Sequence, residues 1–524
     1  MTAMNSGEET AKAKPNGSTI AGQSLSRGEE ADRANSEAAA EKNARVQPNT
    51  PKDQETEPGQ DANDGPKIAG QDANVVAKIG PQDTNPAAST AAQDISAAVP
   101  TTPQDISAAA PTAAQGTSPA APAVEQDAAA AAAGASSTQH KVIPPGSTIG
   151  VLGGGQLGRM LALAGRNMGY RFVTLEPGAD SPCGQVADRQ IQASYGDVDA
   201  ARELARVSDV ITYEFENVDA AVTKLLTQEA YVPQGSALLY TTQHRLREKR
   251  AIEAAGVRVA PYAEITSEED LRAAVGKCGT PCVLKTATGG YDGKGQWVIR
   301  SADEIPDAFA ELSRAGTDLV LEQFIRFEKE ISVIAARSPR GEVKAFPAAE
   351  NIHVENILHM SIVPARISAS VQEEAERLAI RIAESMEAVG LIAVEMFLTQ
   401  DGELFVNELA PRPHNSGHYT MEACLTSQFE QHVRAICNLP LGPTELLTPV
   451  VMVNVLGEHM EPLLKWFCSE ESASDSSGVT PKVHLYGKDE AKVKRKIGHV
   501  NLLTDDTAKA AEWMERTGIW DSIR

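Results

Sequence analysis

Residues 282–299, CVLKTATGGYDGKGQWVI, limit the fold more than any other part of the chain. An apolar run through Val283 and Leu284 ends at Lys285. A loop dense in glycine follows, with Gly289, Gly290, Gly293 and Gly295, and a second strand runs from Gln296 to Ile299. Two strands joined this way can fold over a polyphosphate, because glycine lets several backbone N–H groups approach its oxygens. Lys285, at the end of the first strand, is placed to meet phosphate charge. The loop lacks the Gly-Lys-Ser/Thr of a Walker A motif and the spacing of a kinase loop. A glycine-rich hairpin without a ligand is the simpler alternative. Tyr291, Asp292 and Lys294 set among the glycines argue against it.

The 524 residues suffice for about three domains. A net charge of −23 excludes general nucleic-acid binding, so anionic ligands need local basic pockets. Six cysteines without metal or disulfide spacing read as reduced thiols of a cytoplasmic protein. The start, MTAMNSGEET, has no secretory pattern, and no apolar run reaches the ~18 residues of a membrane helix.

Residues 1–146 differ from the rest. They contain no Phe, Trp, Tyr or Cys, and Gln60, Gln71, Gln82, Gln93, Gln104, Gln115 and Gln126 recur every eleven residues. An eleven-residue period can specify a right-handed coiled coil, but here there is no apolar seam and prolines interrupt it. The composition predicts a disordered repeat tail. It serves either as a partner-binding arm or as an expanded repeat without catalytic consequence.

From Ser147 the texture becomes strand, glycine turn, helix, strand. Gly153, Gly155 and Gly158 form GxGxxG, and Glu176 ends the second strand. This is the dinucleotide fingerprint, although such glycines also serve tight turns alone. The next strand ends in Tyr213, Glu214, Glu216 and Asn217, where open sheets bind ligands. Further on, TTQHRLREKRAIEAAG predicts a basic helix stopped by Gly256, with Arg245 and Lys249 on one face. A solvated face is the other reading. VLEQFIRFEKEISVIAA predicts two strands carrying Glu322 and Glu330, the first linking strand offering its backbone to an adenine edge.

Residues 391–398 and 404–409 flank Asp401 and Gly402, a two-residue hairpin signal. That register sets Gln400 against Glu403 and Glu395 against Glu408. Like charges directly opposite repel unless a cation lies between them, so the pair predicts Mg²⁺ bridging carboxylates and phosphates. Ideal alternation sends Asn407 to the other face. Arg412, His414 and Asn415 follow in a Pro- and Gly-punctuated loop, with a helix expected from about Gly417 whose first N–H groups and Arg412 favour an anion.

Together, KTATGGYDGKGQW, the acids in VEMF and FVNELAPRPHNSGH, KRKIGHVN, GGGQLGRM and TYEFENV closely resemble the N5-carboxyaminoimidazole ribonucleotide synthetases, an ATP-grasp family. The resemblance spans residues 147–524 and is absent from the tail. It implies an α/β (α+β) architecture. A Rossmann-like pre-ATP-grasp domain would occupy 147–245, an ATP-grasp domain 246–445 and a small β-rich C-terminal domain 446–524. It implies that ATP, bicarbonate and 5-aminoimidazole ribonucleotide give the N5-carbamate, ADP and phosphate in purine biosynthesis.

Carried over residue by residue, the resemblance assigns ATP contacts to Arg245, Lys285, Gly290, Tyr291, Asp292, Gly293, Lys294, Gly295 and Gln296. Glu322, Gln323, Phe324, Ile325, Glu330, His353, Asn407 and Glu408 complete that set. Two Mg²⁺ ions are implied, with Glu395 and Glu408 as ligands. Tyr291, Asp292, Arg412, His414, Asn415, Lys488 and Arg495 would line the bicarbonate and aminoimidazole site. Gly155, Gln156, Leu157, Tyr213, Glu214, Glu216 and Asn217 would serve the ribonucleotide, the glycine turn lying near its phosphate. Asp292 or His414 is expected to orient or deprotonate a nucleophile. The resemblance further implies a homodimer. With no mutase domain before Arg524, a separate mutase is expected to take the product.

Residues 468–480, CSEESASDSSGVT, read as a polar loop insertion, and the lysine-rich run 488–496 leaves the substrate-binding lysine open. Competing functions are a transformylase- or biotin-carboxylase-type ATP-grasp enzyme, and a non-catalytic scaffold for the tail. Deleting residues 1–140 tests the scaffold reading, since a catalytic protein is expected to keep its turnover without the tail.

Overall fold

The computed structural model describes residues 141–521 except 217, 291, 292 and 315. The repeat tract up to residue 140 and the candidate site residues Asn217, Tyr291 and Asp292 therefore lie outside the described residues. The expected tail boundary at 146 is late. Ile143 is buried, its N–H bonds the Cys437 carbonyl at 3.0 Å, and the Tyr170 hydroxyl donates to its carbonyl at 2.7 Å. One apolar side chain ahead of two prolines is enough to draw this segment into the core.

The first layer is a parallel sheet of β1 (Thr148–Leu152), β2 (Arg171–Leu175), β3 (Arg189–Ile191) and β4 (Val210–Tyr213), in the order β3-β2-β1-β4. Its central strands β1 and β2 are buried on both faces after their first residues, Thr148 and Arg171, and are mostly apolar there. Helices α1 (Gln156–Asn167), α2 (Val198–Val207) and α3 (Ala220–Glu229) accompany it. Asp197 and Asp219 cap α2 and α3 by accepting their first free N–H groups.

The single basic helix expected next is broken. Helix α4 (Ala237–Thr242) stops at Gln243 and His244, and α5 (Arg245–Ala254) starts afresh. The break puts Arg245 at the first position of α5, with its N–H on the Ala287 carbonyl at 2.9 Å. Gly256, at φ +70°, ends the helix as expected.

A small antiparallel sheet follows: β5 (Tyr262–Ile265), β6 (Cys282–Thr286), β7 (Gln296–Ile299) and β8 (Leu319–Gln323), ordered β5-β8-β6-β7. It is backed by α6 (Glu268–Cys278) and α7 (Ile305–Ser313) through Leu271, Val275, Ile305 and Leu312. The glycine loop joins β6 to β7, so Lys285 pairs with Gln296.

The large sheet has nine strands: β9 (Phe327–Arg337), β10 (Val343–Ala345), β11 (Ala349–Val354), β12 (Ile357–Val363), β13 (Gly390–Thr399), β14 (Leu404–Ala410), β15 (Val450–Leu456), β16 (Thr480–Leu485) and β17 (Lys496–Leu503). Strand β15 pairs with β12, so the C-terminal strands extend this sheet rather than forming a sheet of their own. Ile331, Val333, Ile392, Val394 and Met396 face α8 (Ala369–Ser385). Ile334, Leu391 and Ala393 on the reverse face pack against Tyr419 and Ala423, the latter ending the four-residue helix α9 (Thr420–Ala423). Helix α10 (Gln428–Ile436) applies Phe429, Val433 and Ile436 to the same cluster as Leu157 and Leu161 of α1. This joins the first layer to the large sheet.

In the C-terminal region α11 (Met460–Phe467) and α13 (Thr507–Thr517) bury Leu463, Trp466 and Trp513. Residues 468–480 are more than a polar loop. They hold the short helix α12 (Glu470–Ser474), and Asp475 accepts from Trp513 Nε1 at 2.5 Å and pairs with Arg516 at 2.8 Å.

Candidate active site

The expected opposition of Glu395 and Glu408 is present, but its register differs from the expected one. Thr399 N–H bonds the Glu403 carbonyl at 3.0 Å, so the turn has three residues, Gln400, Asp401 and Gly402. Met396, Phe397 and Leu398 then pair with Val406, Phe405 and Leu404. Continued, this register would set Glu395 against Asn407. A bulge at this point restores Glu395 to Glu408. Leu404, Val406 and Leu409 all belong to the α8-side core, so both Asn407 and Glu408 lie on the opposite, site-bearing face. The expectation that Asn407 turns away is therefore corrected. Its Oδ1 is buried without a hydrogen-bond partner.

The carboxylates are held differently. Burial would raise Glu395, but the hydrogen bond with His414 Nε2, 2.9 Å from its Oε1, and the nearby charges of His353 and Arg412 bring it down. Glu408 is raised, by burial and then by the Glu395 charge, although Arg245 Nη1 lies 3.4 Å from its Oε2. Such a pair favours a cation. No group of three His, Cys, Asp or Glu suited to a metal occurs among the described residues. Two carboxylates beside a partnerless amide oxygen fit Mg²⁺, which keeps water and phosphate oxygens as its other ligands.

Next to the acids sits a second charged group. Lys285 Nζ lies 2.8 Å from Glu322 Oε2, and Lys249 Nζ lies 3.1 Å from Glu322 Oε1. Burial alone would raise Glu322, yet the two lysines hold it at about 2. Burial lowers Lys285. The solvated-face alternative for Lys249 fails, since its side chain is 1% exposed. Sequence reasoning did not place Lys249 in the site; the one signal was its spacing of four from Arg245. Glu248 was also missed. It accepts the Leu409 N–H at 2.8 Å, and burial with the Glu408 charge pushes it up to about 8.

The loop over this group turns at Gly289, Gly293 and Gly295, all at positive φ. A Cβ on Gly293 would lie 2.5 Å from the Asn356 side chain, so the loop meets the turn between β11 and β12 where only glycine fits. A Cβ on Gly290 would lie 2.9 Å from the Lys294 carbonyl oxygen. Gln323 ends β8 with its N–H on the Pro261 carbonyl, while exposed Phe324 and half-buried Ile325 lie in the link to the large sheet. Glu330 Oε2 is 2.8 Å from His353 Nδ1. Burial would lower His353, but that carboxylate raises it.

On the first layer the glycine turn differs from expectation. Glu214 accepts the N–H groups of Gly155 and Gly158, and Glu176 accepts that of Gly154 at 2.8 Å and the Tyr195 hydroxyl. These amides therefore hold the protein's own carboxylates rather than a phosphate, which also removes the dinucleotide reading. Leu157 is buried in the core, Gln156 is half-buried, and the buried Tyr213 hydroxyl has no partner. Glu216 Oε1 lies 2.6 Å from Arg412 Nη2, which brings the first layer to the loop after β14.

The helix expected from Gly417 is a 3₁₀ turn, Asn415–Gly417, followed by the short α9; His414 Nδ1 takes the Ser416 N–H at its start. This is not a helical anion site. Both side-chain polar atoms of Asn415 are buried without partners. Across the cleft, Lys488 Nζ donates to the Lys496 carbonyl at 2.7 Å, and burial followed by the Arg495 charge brings it down to about 8. Arg495 is exposed, with Nη1 donating to the Glu490 carbonyl at 3.1 Å. Lys492 and Lys494 pair at the surface with Glu490 and Glu355. The structure thus separates Lys488 from both.

A glycine loop beside buried lysines, with an acid pair on the adjoining sheet, is the arrangement of an ATP-grasp ligase, and the comparisons agree. Residues 250–429 match the ATP-grasp domain model. Residues 146–243 match the ribonucleotide synthetase preATP-grasp domain. Residues 450–513 match the phosphoribosylaminoimidazole carboxylase C-terminal domain. The N5-carboxyaminoimidazole ribonucleotide synthase of Bacillus subtilis is 49% identical over 383 residues, covering 72% of this chain and 98% of the relative. That of Brucella melitensis is 45% identical over 367 residues, covering 70% and 98%. Among solved structures, the Staphylococcus aureus synthetase complexed with ADP has a TM-score of 0.67 at 39% identity, covering 72% and 98%. The Aspergillus clavatus enzyme with ADP and 5-aminoimidazole ribonucleotide has 0.65 at 30%, with the same coverage. The chain belongs to the N5-carboxyaminoimidazole ribonucleotide synthase family.

Glu322→Gln leaves two buried lysines sharing one neutral amide and is expected to cost about 3–5 kcal/mol by urea denaturation. The carboxylate falls from its ordinary 4.5 to about 2 on folding, so its stabilisation is present above pH 4.5 and lost as pH falls towards 2. The variant's stability should vary less across that window.

Proposed function

We propose that the protein carboxylates 5-aminoimidazole ribonucleotide with bicarbonate at the expense of ATP, giving the N5-carbamate, ADP and phosphate. The observation that carries this is the Glu395–Glu408 pair on the same sheet face as the charged loop residues Arg412 and His414. ATP lies under the glycine loop with its phosphates towards Lys285, Lys249 and Arg245. Residues 322–325 and Glu330 take the nucleoside. Glu395, Glu408 and the Asn407 oxygen would hold Mg²⁺, which when bound neutralises phosphate charge.

Bicarbonate is a poor electrophile and must first be phosphorylated to carboxyphosphate. Lys285 and Arg412 stabilise the charge that spreads over the transferred group. The glycine loop excludes water from the labile product. The exocyclic amine nitrogen then bonds the carboxyl carbon, the bond from that carbon to the phosphate oxygen breaks, inorganic phosphate leaves and takes up the proton that the amine loses. Lys488 and Arg495 bind the ribonucleotide phosphate, Asn415 supplies its partnerless amide, and Glu214, Glu216 and Tyr213 border the same space. The reading includes a Rossmann-like first domain, supported by its parallel strand order. It also includes a cytoplasmic homodimer and a separate mutase receiving the product. Among the described residues no helix is long and apolar enough to cross a membrane.

ADP release is expected with bicarbonate plus 5-aminoimidazole ribonucleotide. Release with formate or biotin in their place would overturn the assignment. Burial and the Arg495 charge bring Lys488 down to about 8, so its charged form prevails below that value. KM for the ribonucleotide is therefore expected to rise as pH increases through 8, and Lys488→Arg should move that rise to higher pH. An unchanged profile in the variant would remove Lys488 from phosphate binding.

A further inference from the structure

His414 is backed by a continuous line of buried polar side chains that the chemistry above does not use. Ser361 on β12 donates to Asn351 Oδ1 at 2.8 Å. Asn351 Nδ2 on β11 donates to Ser332 Oγ at 2.9 Å. Ser332 on β9 donates to Ser416 Oγ at 2.7 Å. Ser416 Oγ lies 2.9 Å from His414 Nδ1, and His414 Nε2 lies 2.9 Å from Glu395. Ser332, Asn351, Ser361 and Ser416 are each at most 7% exposed.

The line has a direction. The amide of Asn351 accepts at one end and donates at the other, so the hydroxyl proton of Ser332 is sent on towards Ser416. Ser416 Oγ accepts from Ser332 and lies 2.9 Å from Nδ1, to which its own hydroxyl can donate. The Ser416 peptide N–H also points at Nδ1, at 3.4 Å, and a peptide N–H can only donate. The peptide donor requires an unprotonated Nδ1, which leaves the ring proton on Nε2, facing Glu395, and the Ser416 hydroxyl then donates to Nδ1 as well.

We infer that Ser361, Asn351, Ser332 and Ser416 form a positioning relay that fixes His414 as an Nε2–H donor to Glu395. Of the two roles expected for His414, orienting and deprotonating, the relay assigns the first. The catalytic consequence rests on the function proposed above; the tautomer does not.

The test is ¹⁵N NMR of the full chain, ligand-free, with labelled histidine, the His414 signals being those absent from His414→Asn. The expected result is an unprotonated Nδ1 and a protonated Nε2. A ring protonated at Nδ1 overturns the relay. Ser332→Ala cuts the line and is expected to introduce the other tautomer. It should also lower kcat about tenfold, as outer-shell changes commonly do, with KM for ATP within about twofold. Wild-type tautomer and kcat in this variant would sink the inference. If Ser332→Ala does not fold, Ser361→Ala, at the far end, decides by the same two readouts. A wild-type protein that shows the Nε2–H ring but carboxylates no aminoimidazole ribonucleotide would overturn the functional reading and leave the relay standing.

Discussion

Two carboxylates facing each other across paired strands are an unfavourable arrangement, and the surrounding structure is organised to tolerate it. Glu395 is held ionised by His414, while Glu408 shares Arg245 and is pushed towards its neutral form. The strands cannot relieve the repulsion by sliding. Their reverse face carries Ile392, Val394, Met396, Leu404, Val406 and Leu409 into a closed core, and a one-residue slip would expose that whole set. The bulge at Asn407 is the one adjustment, and it brings a second polar side chain to the site.

The same pattern extends outward. Several groups suited to an anionic ligand are met by a carboxylate of the protein itself. Glu322 lies between Lys285 and Lys249, Glu216 takes Arg412, and Glu214 and Glu176 take the amides of the glycine turn. Uncompensated buried charge would cost several kcal/mol for each ion. Internal pairing lets the site exist before its ligands arrive. On the proposed reading, a polyphosphate under the loop would exchange one set of ion pairs for another.

The site depends on several layers at once. To the proposed site the first layer would contribute Glu216, the small sheet Lys285 and Glu322, the large sheet the acid pair, and the C-terminal hairpin Lys488. Helix α10 and Tyr486 are buried in one cluster with α1, which holds the outermost of these contributors in register. Ile143 joins that cluster, so the chain ahead of the first strand is anchored where the layers meet.

Much of this was legible in the chain because it is local. The glycine loop after an apolar strand, the capped parallel-sheet elements and the opposed glutamates follow from periodicity, turn chemistry and spacing within a few tens of residues. Tertiary structure decided the rest. Whether Lys249 faces solvent or Glu322 depends on a strand more than seventy positions away, and nothing in the helix itself distinguishes the two. The amides of the GxGxxG turn could serve a phosphate or a glutamate, and only the approach of β4 settles that they hold Glu214. The bulge that redirects Asn407 arises where a three-residue turn must be reconciled with two buried faces. Local sequence specifies which groups can pair; long-range packing specifies which partner reaches them, because a buried charge is satisfied by whatever the folded chain brings within about 3 Å.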